Sequence, residues 1–203
     1  MTFLELQTEC YDRLRIPTPD ATITALVKRM VNNATRKAST YRNWPWMETS
    51  VSLSISSSTR AYTLGATCGF ILNMHDSNGV VLNEVSRDTY FDMYRGDATT
   101  GSPTVFCVDG MDTSNLVTVQ VWPVPTGSAT LTVRCRRRVA DLSSDGDIPN
   151  IPTQYHYALV SLAAAMVREW EGGQDWQPLM QLAMSELNQM DELEFGQRVP
   201  TPA

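Results

Sequence analysis

The chain has 203 residues, 42% of them hydrophobic, enough for a real core and for one or two domains. Its 16 basic and 22 acidic side chains leave a formal net charge of −6. That balance argues against a protein that wraps around nucleic acid, because phosphate binding needs a basic footprint, but it does not exclude a ring through which DNA passes.

The first part, from Thr2 to about Tyr41, reads as two helices. Phe3, Leu6, Cys10 and Leu14 recur at helical spacing, and Thr2 is a cap for that helix. The run Ile16-Pro17-Thr18-Pro19-Asp20 breaks it, since proline cannot continue a helix and restricts the residue before it. A longer helix follows, with Ile23, Leu26, Val27, Met30, Val31 and Ala34 as its apolar stripe. Trp44-Pro45-Trp46 closes this part as a rigid, bulky hinge. The two tryptophans either anchor a neighbouring subunit or plug the space between helix and sheet, the second being favoured.

The middle part, residues 48–140, changes character. Val51, Leu53 and Ile55 alternate with Ser52, Ser54 and Ser56, the pattern of a half-buried strand. Ala61–Leu64, Phe70–Met74 and Val80–Val85 follow as strands, the last two joined by Asp76-Ser77-Asn78-Gly79. Ser86 caps a short helix to Tyr94. Pro103–Val108, Leu116–Trp122 and Ala129–Val139 complete six or seven strands at hairpin spacing.

After an acidic loop, Asp141 to Asp147, Thr153 opens a strongly apolar helix to about Trp170, stopped by Gly172-Gly173. A last helix runs from about Asp175 to Met190, with Leu179, Leu182, Ala183, Leu187 and Met190 on its apolar face. The expected fold is α+β. Residues 1–47 and 141–193 form a small helical bundle, residues 48–140 an inserted antiparallel β-sandwich or barrel. Residues 194–203 form a loose tail carrying two prolines and a glycine.

Chemistry is sparse. Cys10, Cys68, Cys107 and Cys135 form no CxxC pair, and with only His75 and His156 no metal spacing can be assembled. The cysteines are expected to be free thiols in a reduced, cytoplasmic setting. No Gly-rich phosphate loop and no nucleophile elbow is present, so no cofactor is expected. His75 and His156 lack a nucleophile to serve and read as structural. Glu84 with Asp88, or Glu169 with Glu171, are sequence neighbours rather than carboxylates facing across a cleft, and read as solvated surface. The chain is expected not to be an enzyme. It begins without a basic leader, and no window approaches ~18 apolar residues, so neither a signal peptide nor a membrane span is expected.

The densest charge is Arg134-Cys135-Arg136-Arg137-Arg138. On a strand, Arg134, Arg136 and Arg138 share one face. That face either touches DNA in a lumen or serves as a subunit contact or solvated surface. The acidic total and the lack of interleaved aromatics favour the latter.

In their order, these features resemble the adaptor, or head-to-tail connector, proteins of tailed phages, which include tail tubular protein A of short-tailed phages and head completion proteins. Arg42-Asn43-Trp44-Pro45-Trp46 is similar to the family's aromatic stretch after its second helix. Gly101-Ser102-Pro103-Thr104-Val105-Phe106 is similar to its G-x-P start of a strand, and Val121-Trp122-Pro123-Val124-Pro125 to its l-x-P-x-P strand end. Leu131-Thr132-Val133-Arg134-Cys135-Arg136 stands at the family's l-t-v-x-Y, with cysteine replacing tyrosine. Asp147-Ile148-Pro149-Asn150-Ile151-Pro152 then leads into an Ala-rich helix, as d-x-P-x-I-P does there.

The resemblance spans Thr2 to Met190. It implies a structural virion protein of the neck, assembled in the host cytoplasm as a homo-oligomeric ring, commonly twelve-fold, beneath the portal. It implies portal protein and a downstream tail or nozzle protein as partners, with double-stranded DNA passing through the lumen. By that resemblance the tail residues Glu194, Phe195, Gln197, Arg198, Val199 and Pro200 would grip the portal; from the residues themselves, Arg134, Arg136, Arg138, Trp44 and Trp46 are the candidates for contact with neighbours or the lumen. A tail terminator or tail-tube protein is the alternative, and a neck-associated peptidoglycan hydrolase a remoter one.

Overall fold

Helices occupy both ends of the sequence and strands its middle, so the chain is α+β. The computed structural model describes residues 1–172 and 176–196. In chain order the elements are α1 (Phe3–Leu14), α2 (Ala21–Tyr41), β1 (Glu48–Ile55), β2 (Ala61–Thr63), β3 (Cys68–His75) and β4 (Asn83–Glu84). They continue as α3 (Arg87–Met93), β5 (Val105–Met111), β6 (Val117–Trp122), β7 (Ala129–Arg137), α4 (His156–Trp170) and α5 (Trp176–Phe195). They group into two compact units, Met1–Met47 with the segment from Val139, and Glu48–Arg138.

The helical unit is organised around α4. Ten of its residues are buried, from His156 to Val167. Packing on every side requires small side chains, and Ala158, Ala163, Ala164 and Ala165 let α1, α2 and α5 approach it. Phe3, Leu6, Cys10 and Leu14 fill one side, Leu26, Val27, Val31 and Ala34 another, and Ala183, Leu187 and Met190 the third. The helix starts are fixed by local chemistry. Thr2 and Glu5 form a reciprocal capping box on α1, and Asp20 accepts the Ile23 amide at 2.8 Å at the start of α2. α1 stops because Arg15 turns left-handed, φ 57°, before the prolines are reached.

The β unit is a pair of sheets, ordered β1-β7-β3 and β2-β6-β5-β4, and no closed barrel forms. Leu53, Ile55, Ile71, Met74, Val119, Val121, Leu131, Val133 and Cys135 belong to its core. The named strands pair antiparallel, as a sandwich predicts, except that β4 lies parallel to β5. One expectation fails here. The strand expected over residues 80–85 shrinks to Asn83–Glu84, because the segment changes sheets. Leu82 still donates to Met74 of β3, whereas Asn83 donates to Thr104 beside β5. The turn before it is as expected. Asp76 Oδ1 accepts the Asn78 and Val80 amides, and Gly79 takes φ +82°.

Candidate functional site

The arginine run falls on β7, the middle strand of the first sheet. β1 pairs along one edge of it, Glu48 opposite Arg136 through Ile55 opposite Ala129. β3 pairs along the other, with Phe70 opposite Arg136, Asn73 opposite Arg134 and His75 opposite Thr132. Alternation sends Leu131, Val133 and Cys135 inward and Thr130, Thr132, Arg134 and Arg136 outward. On the outward side Arg134 donates to Glu48 at 3.0 Å, and the Arg136 guanidinium lies 5.9 Å from the centre of the Phe70 ring. Asn73 and His75 are joined at 2.9 Å on the same side.

Arg138 does not share this face. β7 ends at Arg137, and parity holds only while the pleat persists. The Arg138 amide bonds Thr67, and its guanidinium reaches back to the Asn115 carbonyl.

Trp44 and Trp46 lie in the helical unit, where Trp44 has no exposed surface. Its indole N–H donates to the Ala38 carbonyl at 2.7 Å. Its ring stacks with Trp46, 5.6 Å away, and with Phe195, 6.0 Å away. So Trp44 cannot be a surface anchor without opening the core, and Trp46 packs partly buried against the same cluster.

Glu194 and Phe195, expected in a loose tail, are the last residues of α5. Phe195 completes the aromatic stack, and Glu194 accepts the Tyr155 hydroxyl at 2.9 Å. Two further ties hold this helix, Arg42 to Asp191 at 3.0 Å and Tyr41 to Asn188 at 2.7 Å. Gln197, Arg198, Val199 and Pro200 lie outside the described residues.

His156 is fully buried. One ring nitrogen meets the Ile151 carbonyl at 2.8 Å, the other the Met1 ammonium at 2.7 Å. Burial above all depresses its pKa; the ammonium acts in the same direction, against the carbonyl. All four cysteines are free and buried. Burial pushes the Cys10 and Cys68 thiols up to about 12 and Cys107 to about 11.

Asp76, Asp97, Asp109 and Asp147 are all held below the ordinary carboxylate range by hydrogen bonds. The leading donors are the Val80 amide, the Thr99 hydroxyl, the Gln120 amide and the Ser143 amide respectively. A glycosidase acid needs a shift in the opposite direction. Among the described residues, no three His, Cys, Asp or Glu side chains gather as metal ligands, and no helix is long and apolar enough to cross a membrane.

The arrangement therefore offers surfaces: a basic, hydroxyl-bearing sheet face and a helical unit whose last helix is laced onto its core. No curated protein sequence matches the chain. The family described as SU10 adaptor protein matches residues 1–201. With that match spanning helices, β unit and last helix alike, the chain belongs to the SU10 adaptor protein family and is a structural adaptor of a phage virion.

Proposed function

We propose that the chain forms a ring, twelve-fold, beneath the portal of a tailed phage and joins it to the downstream tail or nozzle protein. Double-stranded DNA passes through the lumen of that ring. The supporting observation is the family match over residues 1–201. The helical unit meets the portal and the neighbouring subunits, and the β unit meets the next tail component. Assembly takes place in the host cytoplasm, and the ring stays in the neck of the virion.

The portal-gripping segment is Gln197, Arg198, Val199 and Pro200. Glu194 and Phe195 act as its anchor, because Tyr155 and the Trp44 ring hold them in α5. Electron microscopy of the chain mixed with portal protein tests the proposal. Twelve-fold rings seated on the portal are expected. Six-fold rings would transfer the chain to the tail terminators or tail-tube proteins. A zymogram with a clear zone that disappears on mutation of one carboxylate would make it a hydrolase.

A further inference from the structure

The outward face of the sheet β1-β7-β3 carries more than its arginines. Its rows, read across the strands, are Glu48–Arg136–Phe70, Ser50–Arg134–Asn73, Ser52–Thr132–His75 and Ser54–Thr130. Ser50, Ser52, Ser54, Thr130, Thr132 and Arg134 are exposed, and Phe70 is 63% exposed. We propose that this face is a contact surface for the sugar–phosphate backbone of duplex DNA, touched without reading of sequence. The proposal rests on the adaptor reading for the presence of DNA beside the chain. It adds which surface meets that DNA and by what chemistry.

Three observations carry it. The first is composition: arginine, serine, threonine and asparagine are side chains that donate to phosphate and sugar oxygens, and such contacts position a protein on a duplex without specifying bases. The second is charge segregation. Residues Glu48–Arg138 hold seven arginines and eight carboxylates, a near balance. Yet Glu48 is the sole carboxylate on this face. Asp76 and Asp112 sit in turns, Asp97 in a loop, Asp88 and Asp92 on α3, and Glu84 and Asp109 on the second sheet.

The third is Arg136. Among the described residues no carboxylate lies within ion-pair distance of it, and its Nε is buried without a hydrogen-bond partner. The Phe70 ring holds the guanidinium by cation–π contact and leaves its charge uncompensated. Arg134 is paired with Glu48 at 3.0 Å in an ion pair exposed to solvent. Two arginines with neutral hydroxyls around them give weak, exchangeable contacts. That is what a wall needs if DNA is to slide past it. From Thr130 to Arg136 the face runs ~20 Å along the strand and ~10 Å across, room for several phosphates.

The test uses the intact chain, a 30-base-pair duplex and fluorescence anisotropy between 50 and 200 mM salt, with portal binding measured in parallel. Two lost phosphate contacts lower the log–log salt slope by about 1.8, or about twelvefold in affinity across that range. The parent is expected to bind the duplex weakly, regardless of sequence. R134Q/R136Q should flatten the slope by that amount with an unchanged circular dichroism spectrum. E48Q, which frees Arg134, should tighten binding. No binding by the parent at 50 mM overturns the proposal, as does an unchanged slope in the double variant. So does loss of self-association with DNA binding intact, which would make the face a subunit contact. A parent that binds portal but not duplex removes this surface and leaves the adaptor reading. One that binds duplex through Arg134 and Arg136 but not portal does the reverse.

Discussion

Trp44→Ala separates a core role from an interface role for the first tryptophan of the hinge. The ring is fully buried and stacked against Trp46 and Phe195, with its N–H bonded to the Ala38 carbonyl. Removing a buried tryptophan costs roughly 3–5 kcal/mol from lost transfer energy and the cavity left behind. Of this, each aromatic pair accounts for about 0.5–1.5 kcal/mol. The stranded Ala38 carbonyl pushes the loss toward the upper end. A domain's whole stability is about 5–15 kcal/mol, so the helical unit loses a large fraction. Urea unfolding followed by far-ultraviolet circular dichroism should show a lowered midpoint, and thermal melting a drop of about 15 °C. Trp44→Phe, which keeps a ring but loses the N–H, should fall well short of this. A change under about 1 kcal/mol in Trp44→Ala, with ring assembly lost, would refute the core assignment and restore the subunit-anchor role.

Truncation after Leu193 should melt several degrees below truncation after Gly196, because it also removes the Phe195 stack and the Glu194–Tyr155 bond; equal melting of the two would contradict the packing of α5. Stability should fall as pH drops below about 6.5. Buried His156 has a folded pKa below its unfolded one, so in that window the unfolded chain takes up a proton that the folded chain excludes. His156→Gln should flatten this part of a urea-midpoint titration, and an unchanged slope would remove His156 as its source. Because burial suppresses their ionisation, the thiols of Cys10, Cys68 and Cys107 should resist a thiol-reactive dye at pH 8 in the native state and react fully in denaturant; fast native labelling would show that the cores open.

What the sequence made legible was local. The stripe through Phe3, Leu6, Cys10 and Leu14, the caps at Thr2 and Ser86, and the turn at Asp76 to Gly79 depend on neighbours a few residues away. What it concealed depends on distant partners. Glu194 and Phe195 read as the start of a loose tail. They stay helical because Tyr155 and Trp44 take them up, while Arg42 holds Asp191 in the preceding turn. The shortening of the strand over residues 80–85 follows from a change of sheets that no periodicity encodes. For the candidate surface, alternation correctly paired Arg134 with Arg136 but carried the pattern one step too far, to Arg138. The neighbouring serines of β1 were visible as a strand. Their place beside the arginines was not, because β1 and β7 are separated by the rest of the unit.

That pairing also sets how the β unit bears load. Its first and last strands run antiparallel side by side, with Glu48 and Arg136 opposite each other where the chain enters and leaves. Tension applied through those two crossings pulls on one rung of the ladder at a time. The strands then peel like a zipper from Glu48 toward Ile55, a mechanically soft geometry compared with shearing all the rungs at once. Strain entering the unit through the chain is therefore taken up first at the Glu48–Arg136 end, while the hydrophobic inner face around Leu53, Ile55 and Leu131 is the last part to open.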